Sequence, residues 1–265
     1  MDKFNEVTEN SVLVLTPFGS PMGYINYFMS LMQLREVCRD NDVKLNYFFE
    51  KNASLITHAR NDMVNNFLFN STAEFMIFID SDVEFDPSYI VKWVKEKKDF
   101  ASGTYPTKKI YQDQIDKVLK LGVNKWEDIE PKSYKYAISF TEDNMDKGIK
   151  VENGMIVADR VATGFMFISR KLLMDMIEKA NTFPPHFNFV KYDLENDYRQ
   201  EKGKTGYTFF DTMHKEGRAI GEDYAFCERL KFLGHKILVE PNIKLNHIGS
   251  HTYKGHLVRK FKENE

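Results

Sequence analysis

The sequence predicts an α/β fold, a mostly parallel sheet covered by helices, and three observations predict it. Short apolar runs alternate with amphipathic stretches from Ser11 to Tyr105, the pattern of successive strand-helix units. One of these runs, Phe75 to Ile79, breaks into Asp80-Ser81-Asp82, at the carboxyl end of a strand where such sheets gather ligands. The chain has 265 residues, 42% hydrophobic and 29% charged, enough for one large domain or two small ones.

The elements follow in order. Ser11 to Leu15 (SVLVL) reads as a buried strand ending at Thr16-Pro17, Tyr24 to Val37 as a helix, and Val43 to Phe49 as an alternating strand. Ser54 to Phe69 reads as an amphipathic helix, with Leu55, Ala59, Met63 and Phe67 four apart and Ser54 as its N-cap. After the acidic motif, Pro87 to Lys97 is a helix with Pro at its start, and Phe100 to Tyr105 is a strand ending at Pro106. From Thr107 to about Lys150 the chain is charged and weakly patterned, apart from a strand-like Tyr134 to Phe140, and reads as a peripheral excursion. Strands resume at Ile156 to Val161 and at Phe165 to Ser169, around Ala162-Thr163-Gly164. Phe183 to Thr212 is aromatic-rich and irregular, either a loop layer packed on the sheet or a wall for a sugar ring. Gly221-Glu222-Asp223-Tyr224 opens a helix bearing Phe226, Leu230 and Leu233 and closing at Gly234; strand Lys236 to Val239 and then Leu245-Asn246-His247 follow.

Charge and cysteine content exclude several classes. A net charge of -2 with no long basic block argues against a nucleic-acid binder working by counterion release, and Lys95, Lys97 and Lys98 read as a solvated helix face. Cys38 and Cys227 lie in helix-like stretches and are expected as reduced, buried thiols with no chemistry assigned. No segment approaches the ~20 apolar residues that span a bilayer, and no charged n-region precedes an apolar h-region. The expected location is cytoplasmic, with no transmembrane segment.

On a strand, residues two apart face the same way, so Asp80 and Asp82 are expected to face one ligand together. Two adjacent carboxylates repel, and a hard cation such as Mg2+ or Mn2+, which also binds substrate phosphates, relieves that repulsion. The plain alternative is a strand running into an acidic turn. Glu222 and Asp223 at a helix start fit either favourable capping of the dipole or a catalytic carboxylate held at a helix N-terminus. A neutral imidazole can complete the coordination of a cation held by carboxylates, and spacing alone does not choose among His247, His251 and His256.

The ordered set Thr16-Pro17, Arg60-Asn61, Asp80-Ser81-Asp82, Thr163-Gly164-Phe165, Glu222-Asp223 and His247 resembles nucleotide-sugar-dependent glycosyltransferases of the GT-A fold. The resemblance covers most of the chain outside roughly 107–150, and implies a Rossmann-like three-layer α/β/α sandwich forming a single domain over 1–265. Its nucleotide-binding half would span about 1–106 and its acceptor-binding half about 151–255, with the excursion at about 107–150 between them. The donor implied is a nucleoside diphosphate sugar, UDP- or GDP-linked, and the acceptor a hydroxyl on a glycan or related molecule. Asp80, Asp82 and His247 would hold Mn2+ or Mg2+. Thr16, Pro17, Arg60, Asp80, Ser81 and Gly164 would contact the donor, with Gly164 and Phe165 bordering sugar and acceptor. Asp223 would match the base of inverting members, with Glu222 beside it orienting the acceptor. The N-terminal order also resembles fungal mannan-polymerase mannosyltransferases, which are retaining enzymes using GDP-mannose.

Breaking a sugar-phosphate bond builds negative charge on the diphosphate, which a cation stabilises, and a carboxylate that takes the acceptor's proton supplies ~10²–10⁴ in rate. Three rivals differ in their residues. Haloacid-dehalogenase-like phosphatases also use Asp-x-Asp, but usually after the first strand and with later spaced acids, whereas here two strands precede the motif. A non-catalytic carbohydrate-binding protein of the same fold would be expected to lose the metal acids or the base, and both are present. A sugar nucleotidyltransferase would want closely spaced glycines and a cation after the first strand, and Gly19 to Gly23 is a poor substitute.

Overall fold

The structure, a computed structural model, describes residues 6–20, 22–51, 53–140, 148–193 and 205–261. Its first half runs β1 (Thr8–Phe18), α1 (Ile25–Asp40), β2 (Lys44–Lys51), α2 (Ile56–Asn70), β3 (Ala73–Ile79), β4 (Val83–Phe85), α3 (Ser88–Lys95) and β5 (Phe100–Ser102). It continues through β6 (Pro106–Ile110), α4 (Gln112–Lys120), α5 (Trp126–Lys132), β7 (Tyr134–Tyr136), β8 (Ile138–Ser139), β9 (Val151–Glu152), β10 (Met155–Ala158), β11 (Arg160–Val161), β12 (Phe165–Ser169) and α6 (Arg170–Glu178). The remainder is β13 (Lys191–Asp193), β14 (Thr205–Tyr207), β15 (Met213–Lys215), β16 (Arg218–Ile220), α7 (Glu222–Phe232), β17 (Ile237–Val239), β18 (Leu245–Ile248), β19 (Thr252–Lys254) and α8 (Leu257–Phe261).

The expected α/β architecture forms around an eight-stranded sheet in the order β2-β1-β3-β12-β5-β17-β10-β9. Strands β2, β1, β3, β5, β17 and β9 point one way, and β12 and β10 run against them. Alternation divides each central strand between two cores. Leu13, Leu15, Met76, Phe78, Met166 and Ile168 face α2, α6 and α7, where Met63, Phe67, Leu172, Phe226 and Leu230 meet them. Val12, Val14, Phe75, Ile77, Phe165 and Phe167 face α1 and α3, where Tyr27, Leu31, Ile90 and Trp93 meet them. Helices on both faces make the three layers α/β/α.

Several local expectations are corrected. β1 does not end at Leu15 but runs through Thr16 and Pro17 to Phe18; Pro17 lies past Phe78, the last partner on β3, so its missing N–H leaves that ladder intact. The N-cap of α2 is Leu55, which has no capping side chain, and Leu55 is 53% exposed, so Ser54 does not cap and the apolar stripe begins at Ala59. Residues 107–140 carry more regular structure than their weak pattern suggested: α4 and α5 enclose Val118, Val123 and Ile129, too few apolar positions to show in the sequence. Within it Tyr134 to Phe140 divides into β7 and β8, which join different sheets, and Ile156 to Val161 likewise divides into β10 and β11. Cys38 and Cys227 are free and buried, as expected.

The aromatic segment answers to the packing reading where it is described. Phe209 and Phe210 are fully buried and Phe187 nearly so, while residues 194–204 lie outside the described residues. Asn61 and Asn65 of α2 anchor it: Asn61 accepts from the Phe210 N–H at 2.7 Å and donates to Asp211 at 2.7 Å, and Asn65 accepts from the Tyr207 N–H at 3.0 Å. The buried Arg229 guanidinium on α7 donates to the Phe209 and Asp211 carbonyls at 2.9 and 2.8 Å, and also to the Phe187 carbonyl. Among the described residues no helix is long and apolar enough to cross a membrane.

Candidate functional site

The site lies at the edge where β3 and β5 end and the antiparallel β12 begins. That reversal brings Gly164, which precedes β12, next to Asp80, which follows β3: the Asp80 N–H donates to the Gly164 carbonyl at 3.0 Å. A methyl group built on Gly164 would lie 2.3 Å from the Tyr105 hydroxyl and 2.6 Å from Asp80 Oδ2, so the bare backbone keeps this corner open.

The acidic motif follows directly on the end of β3, as expected, and forms a turn. β3 stops at Ile79, the Val83 N–H closes back on the Asp80 carbonyl at 3.1 Å, and the carboxylates take different partners. The expectation that Asp80 and Asp82 face one ligand together by strand alternation is therefore corrected. Asp80 Oδ1 accepts from Arg60 Nη2 at 3.4 Å. Asp82 Oδ2 lies 2.5 Å from Lys108 Nζ and 3.4 Å from His247 Nε2. Burial alone would push the Asp82 carboxyl up, but hydrogen bonds and charge from His247 and Lys108 outweigh it and hold it below its ordinary value.

Register explains how His247 arrives. β4 follows Asp82 directly and pairs antiparallel with β18, setting Val83 opposite His247, and the Ile248 N–H donates to the Asp82 carbonyl at 2.8 Å. His251 instead stands 3.7 Å from Glu130, and the His256 N–H donates to the Tyr136 hydroxyl at 3.1 Å. Tertiary structure thus selects among the three histidines.

Arg60 joins the two acidic elements. It projects from α2 and is 5% exposed, its guanidinium 5.3 Å above the Phe78 ring. Nη2 reaches Asp80, Nε lies 3.7 Å from Glu222 Oε1, and Nε and Nη1 have no hydrogen-bond partner among the described residues. Buried N–H groups left unmade are costly. Glu222 and Asp223 start α7 after Gly221. Burial first, then repulsion from Glu222, raises the Asp223 carboxyl to about 6, against the opposing Tyr224 N–H and Arg60. Asp223 is only half-buried, so a solute can reach it.

Thr16 is less available than expected from sequence. Thr16 is fully buried and its hydroxyl meets that of Tyr27 at 2.5 Å, while the Ser81 carbonyl accepts from the Tyr24 N–H at 3.4 Å. Pro17 is buried within β1. Two residues at the site escaped the sequence reading. Tyr105 packs edge-on against His247 at 4.8 Å, and burial, then the charge of Asp80, raises its hydroxyl well above its ordinary value. Its position at the end of the strand expected from Phe100 was the available signal. Lys108 lay in the weakly patterned segment and had none.

The donor set suits a hard cation in part. His247 Nδ1 lies 2.9 Å from the Pro106 carbonyl, and since a carbonyl only accepts, Nδ1 carries the hydrogen. Nε2 faces Asp82: as an N–H it donates to the carboxylate, and its lone pair would serve only a cation that the two share, the arrangement of a metal-binding histidine fixed by a backbone carbonyl. Among the described residues no group of three or more His, Cys, Asp or Glu side chains is placed to hold a metal ion. Asp82 and His247 would supply two ligands, a number that Mg2+ and Mn2+ accept when phosphate oxygens and water complete the shell. A cavity of about 800 Å3 is lined by His58, Asn61, Asp62, Tyr192 and Asp211 among others, and not by Arg60 or the acidic turn.

No protein-family model matches the chain, and no curated protein matches it. Among solved structures it is similar to A197 from STIV at 15% identity, covering 92% of this chain and 94% of that one, with a TM-score of 0.46. It is similar to a glycosyltransferase involved in the glycosylation of the major capsid of PBCV-1 at 11% identity, covering 71% and 68%, with a TM-score of 0.29. It is also similar to HddC from Yersinia pseudotuberculosis, solved in complex with GMP-PN, at 12% identity, covering 84% and 96%, with a TM-score of 0.30. Likenesses this remote carry no argument about function, which rests on the residues of the site.

Proposed function

We propose that this chain is a metal-dependent glycosyltransferase of GT-A type, moving a sugar from a UDP- or GDP-linked donor to a hydroxyl on a glycan or related acceptor. The observation that carries the reading is Arg60, buried and half-unpartnered, between Asp80 on one side and Glu222-Asp223 on the other. It ties the acidic turn to the helix start that carries Asp223.

Each residue then has a task. Arg60 would hold Asp80 and Glu222 in place by charge-assisted contacts that planar guanidinium geometry favours. The cavity lined by His58, Asn61 and Asp211 lies within the range that holds a small ligand and would take the nucleoside. Asp82 and His247 would hold Mn2+ or Mg2+, which supplies Lewis-acid stabilisation of the leaving diphosphate. Asp223, raised to about 6, is a carboxylate at neutral pH yet basic enough to take a proton. The acceptor oxygen bonds to the anomeric carbon, its proton passes to Asp223, and the bond from that carbon to the diphosphate oxygen breaks with both electrons leaving on phosphate. Attack opposite the leaving group inverts the anomeric centre.

A thermal-shift series of the purified protein with UDP, GDP and their sugar conjugates, with and without Mn2+, tests the reading. Stabilisation by one nucleotide that requires Mn2+ is the expected result, since a ligand of the folded state stabilises it by mass action. A folded sample that none of them stabilises overturns it.

A further inference from the structure

Two nitrogens converge on one carboxylate oxygen at the acid turn. Lys108 Nζ stands 2.5 Å and His247 Nε2 3.4 Å from Asp82 Oδ2. A divalent cation bound by Asp82 and His247 needs the space that the ammonium fills, and two positive charges at such separations repel strongly in a half-buried site. One partner must leave when the other binds.

The two nitrogens are not equally fixed. His247 is held by its Nδ1 bond to the Pro106 carbonyl and by β18 pairing on both sides, with β4 and β19. Lys108 reaches Asp82 on a flexible four-carbon stem, from a stretch of β6 where the register with β7 shifts between Pro106 and Ile110. Its stem passes Gly249, where even a methyl group would touch Cδ at 3.3 Å, and its Nζ lies 5.9 Å from the Tyr24 ring centroid. The lysine can therefore swing while the histidine stays.

Resting on the metal-dependent reading above, we propose that Lys108 is a built-in counter-ion of Asp82. It holds the carboxylate in the cation-free protein, the divalent cation displaces it, and the freed ammonium then binds the diphosphate that arrives with the cation. Metal and lysine compete for Asp82, whereas lysine and diphosphate cooperate. Loss of the ammonium should consequently move the two affinities in opposite directions, which a merely structural lysine would not do.

The test measures Mn2+ binding to the full chain by electron paramagnetic resonance, then binding of inorganic pyrophosphate to the Mn2+-loaded protein by calorimetry. Lys108→Met should bind Mn2+ about tenfold more tightly and pyrophosphate about tenfold more weakly than the unsubstituted protein, within the usual span of coupling between two ligands. Lys108→Arg, which keeps the charge, should stay near the unsubstituted protein in both. Circular dichroism melting confirms that each variant is folded. Mn2+ affinity that is unchanged or weaker in Lys108→Met overturns the competition, and if that binding still depends on Asp82 the metal site itself stands. Absence of Mn2+ binding in every protein overturns both.

Discussion

Nε2 of His247 stands 3.4 Å from Oδ2 of Asp82, although 165 residues separate them in the chain. With Nδ1 committed to the Pro106 carbonyl, the ring meets the carboxylate either through an N–H or through a lone pair that a cation must share. The pair is made by backbone pairing of β4 with β18 and not by the two side chains, so it should persist when either is replaced.

Asp82→Asn is accordingly expected to leave the fold intact, because the turn is closed by the Val83 N–H and tied to β18 by the Ile248 N–H. Mn2+-dependent stabilisation by the nucleotide should disappear and transfer should fall by on the order of 10²-fold or more. Retention of the metal requirement in this variant would move the cation away from Asp82.

Asp223→Asn should spare donor binding and lower transfer by ~10²–10⁴. In the unsubstituted protein the rate should fall as pH drops below about 6, where the raised Asp223 carboxyl takes a proton. The stability effect has the opposite sign. A carboxyl at about 6 in the fold and near its ordinary value of 3.8 when unfolded penalises the fold only when ionised, fully above about pH 6 and not at all below about pH 4. Melting of Asp223→Asn should therefore exceed that of the unsubstituted protein at pH 7, with the gap closing toward pH 4. Equal loss of donor binding and transfer would mark the residue as structural.

Gly164→Ala tests the open corner. Its methyl group would sit 2.3 Å from the Tyr105 hydroxyl and 2.6 Å from Asp80 Oδ2, so one of them must move. Weaker nucleotide binding and impaired transfer are expected, with stability reduced by roughly 1–3 kcal/mol as in other overpacked positions. Nucleotide binding equal to that of the unsubstituted protein would place the donor away from this corner.

Glu228 orients the helix that carries Asp223. It is 4% exposed and receives Arg160 at 2.8 Å, Lys215 at 2.8 Å and Lys231 at 2.9 Å. Burial pushes its carboxyl up, but the hydrogen bonds from Lys215, Lys231 and Arg160 prevail and bring it to about 2. Glu228→Ala should destabilise by roughly 2–4 kcal/mol, since it leaves three cations without their common partner. A lowered carboxyl stabilises above its unfolded value and loses that contribution as pH falls, here from about 4.5 to about 2. Urea unfolding of this variant at pH 7 and at pH 3 should show the larger deficit at pH 7.

Much of the fold was legible in the sequence because its signals are local. Unbroken apolar runs at Leu13 to Leu15 and Phe75 to Ile79 state that both faces of these strands are covered, and the two cores cover them. The start of α7 at Glu222 and its end near Gly234 were read from capping residues in the same way. Ser54 failed as a cap because the helix begins after Leu55, a boundary that the apolar period does not mark. The order around α4 and α5 was missed because three small apolar contacts leave little pattern.

The sequence by itself determined which residues could do chemistry, among them Asp80, Asp82, Arg60 and Asp223, and that the acidic motif follows a buried strand. Only the tertiary structure decided their partners. It turned Asp80 toward Arg60 and Asp82 toward His247, chose His247 over His251 and His256, and brought Lys108 and Tyr105 to the same corner. The physical reason is one of range. Strand and helix periods come from contacts between near neighbours in the chain, whereas a site is made by strand order and register, which join residues that no local pattern connects.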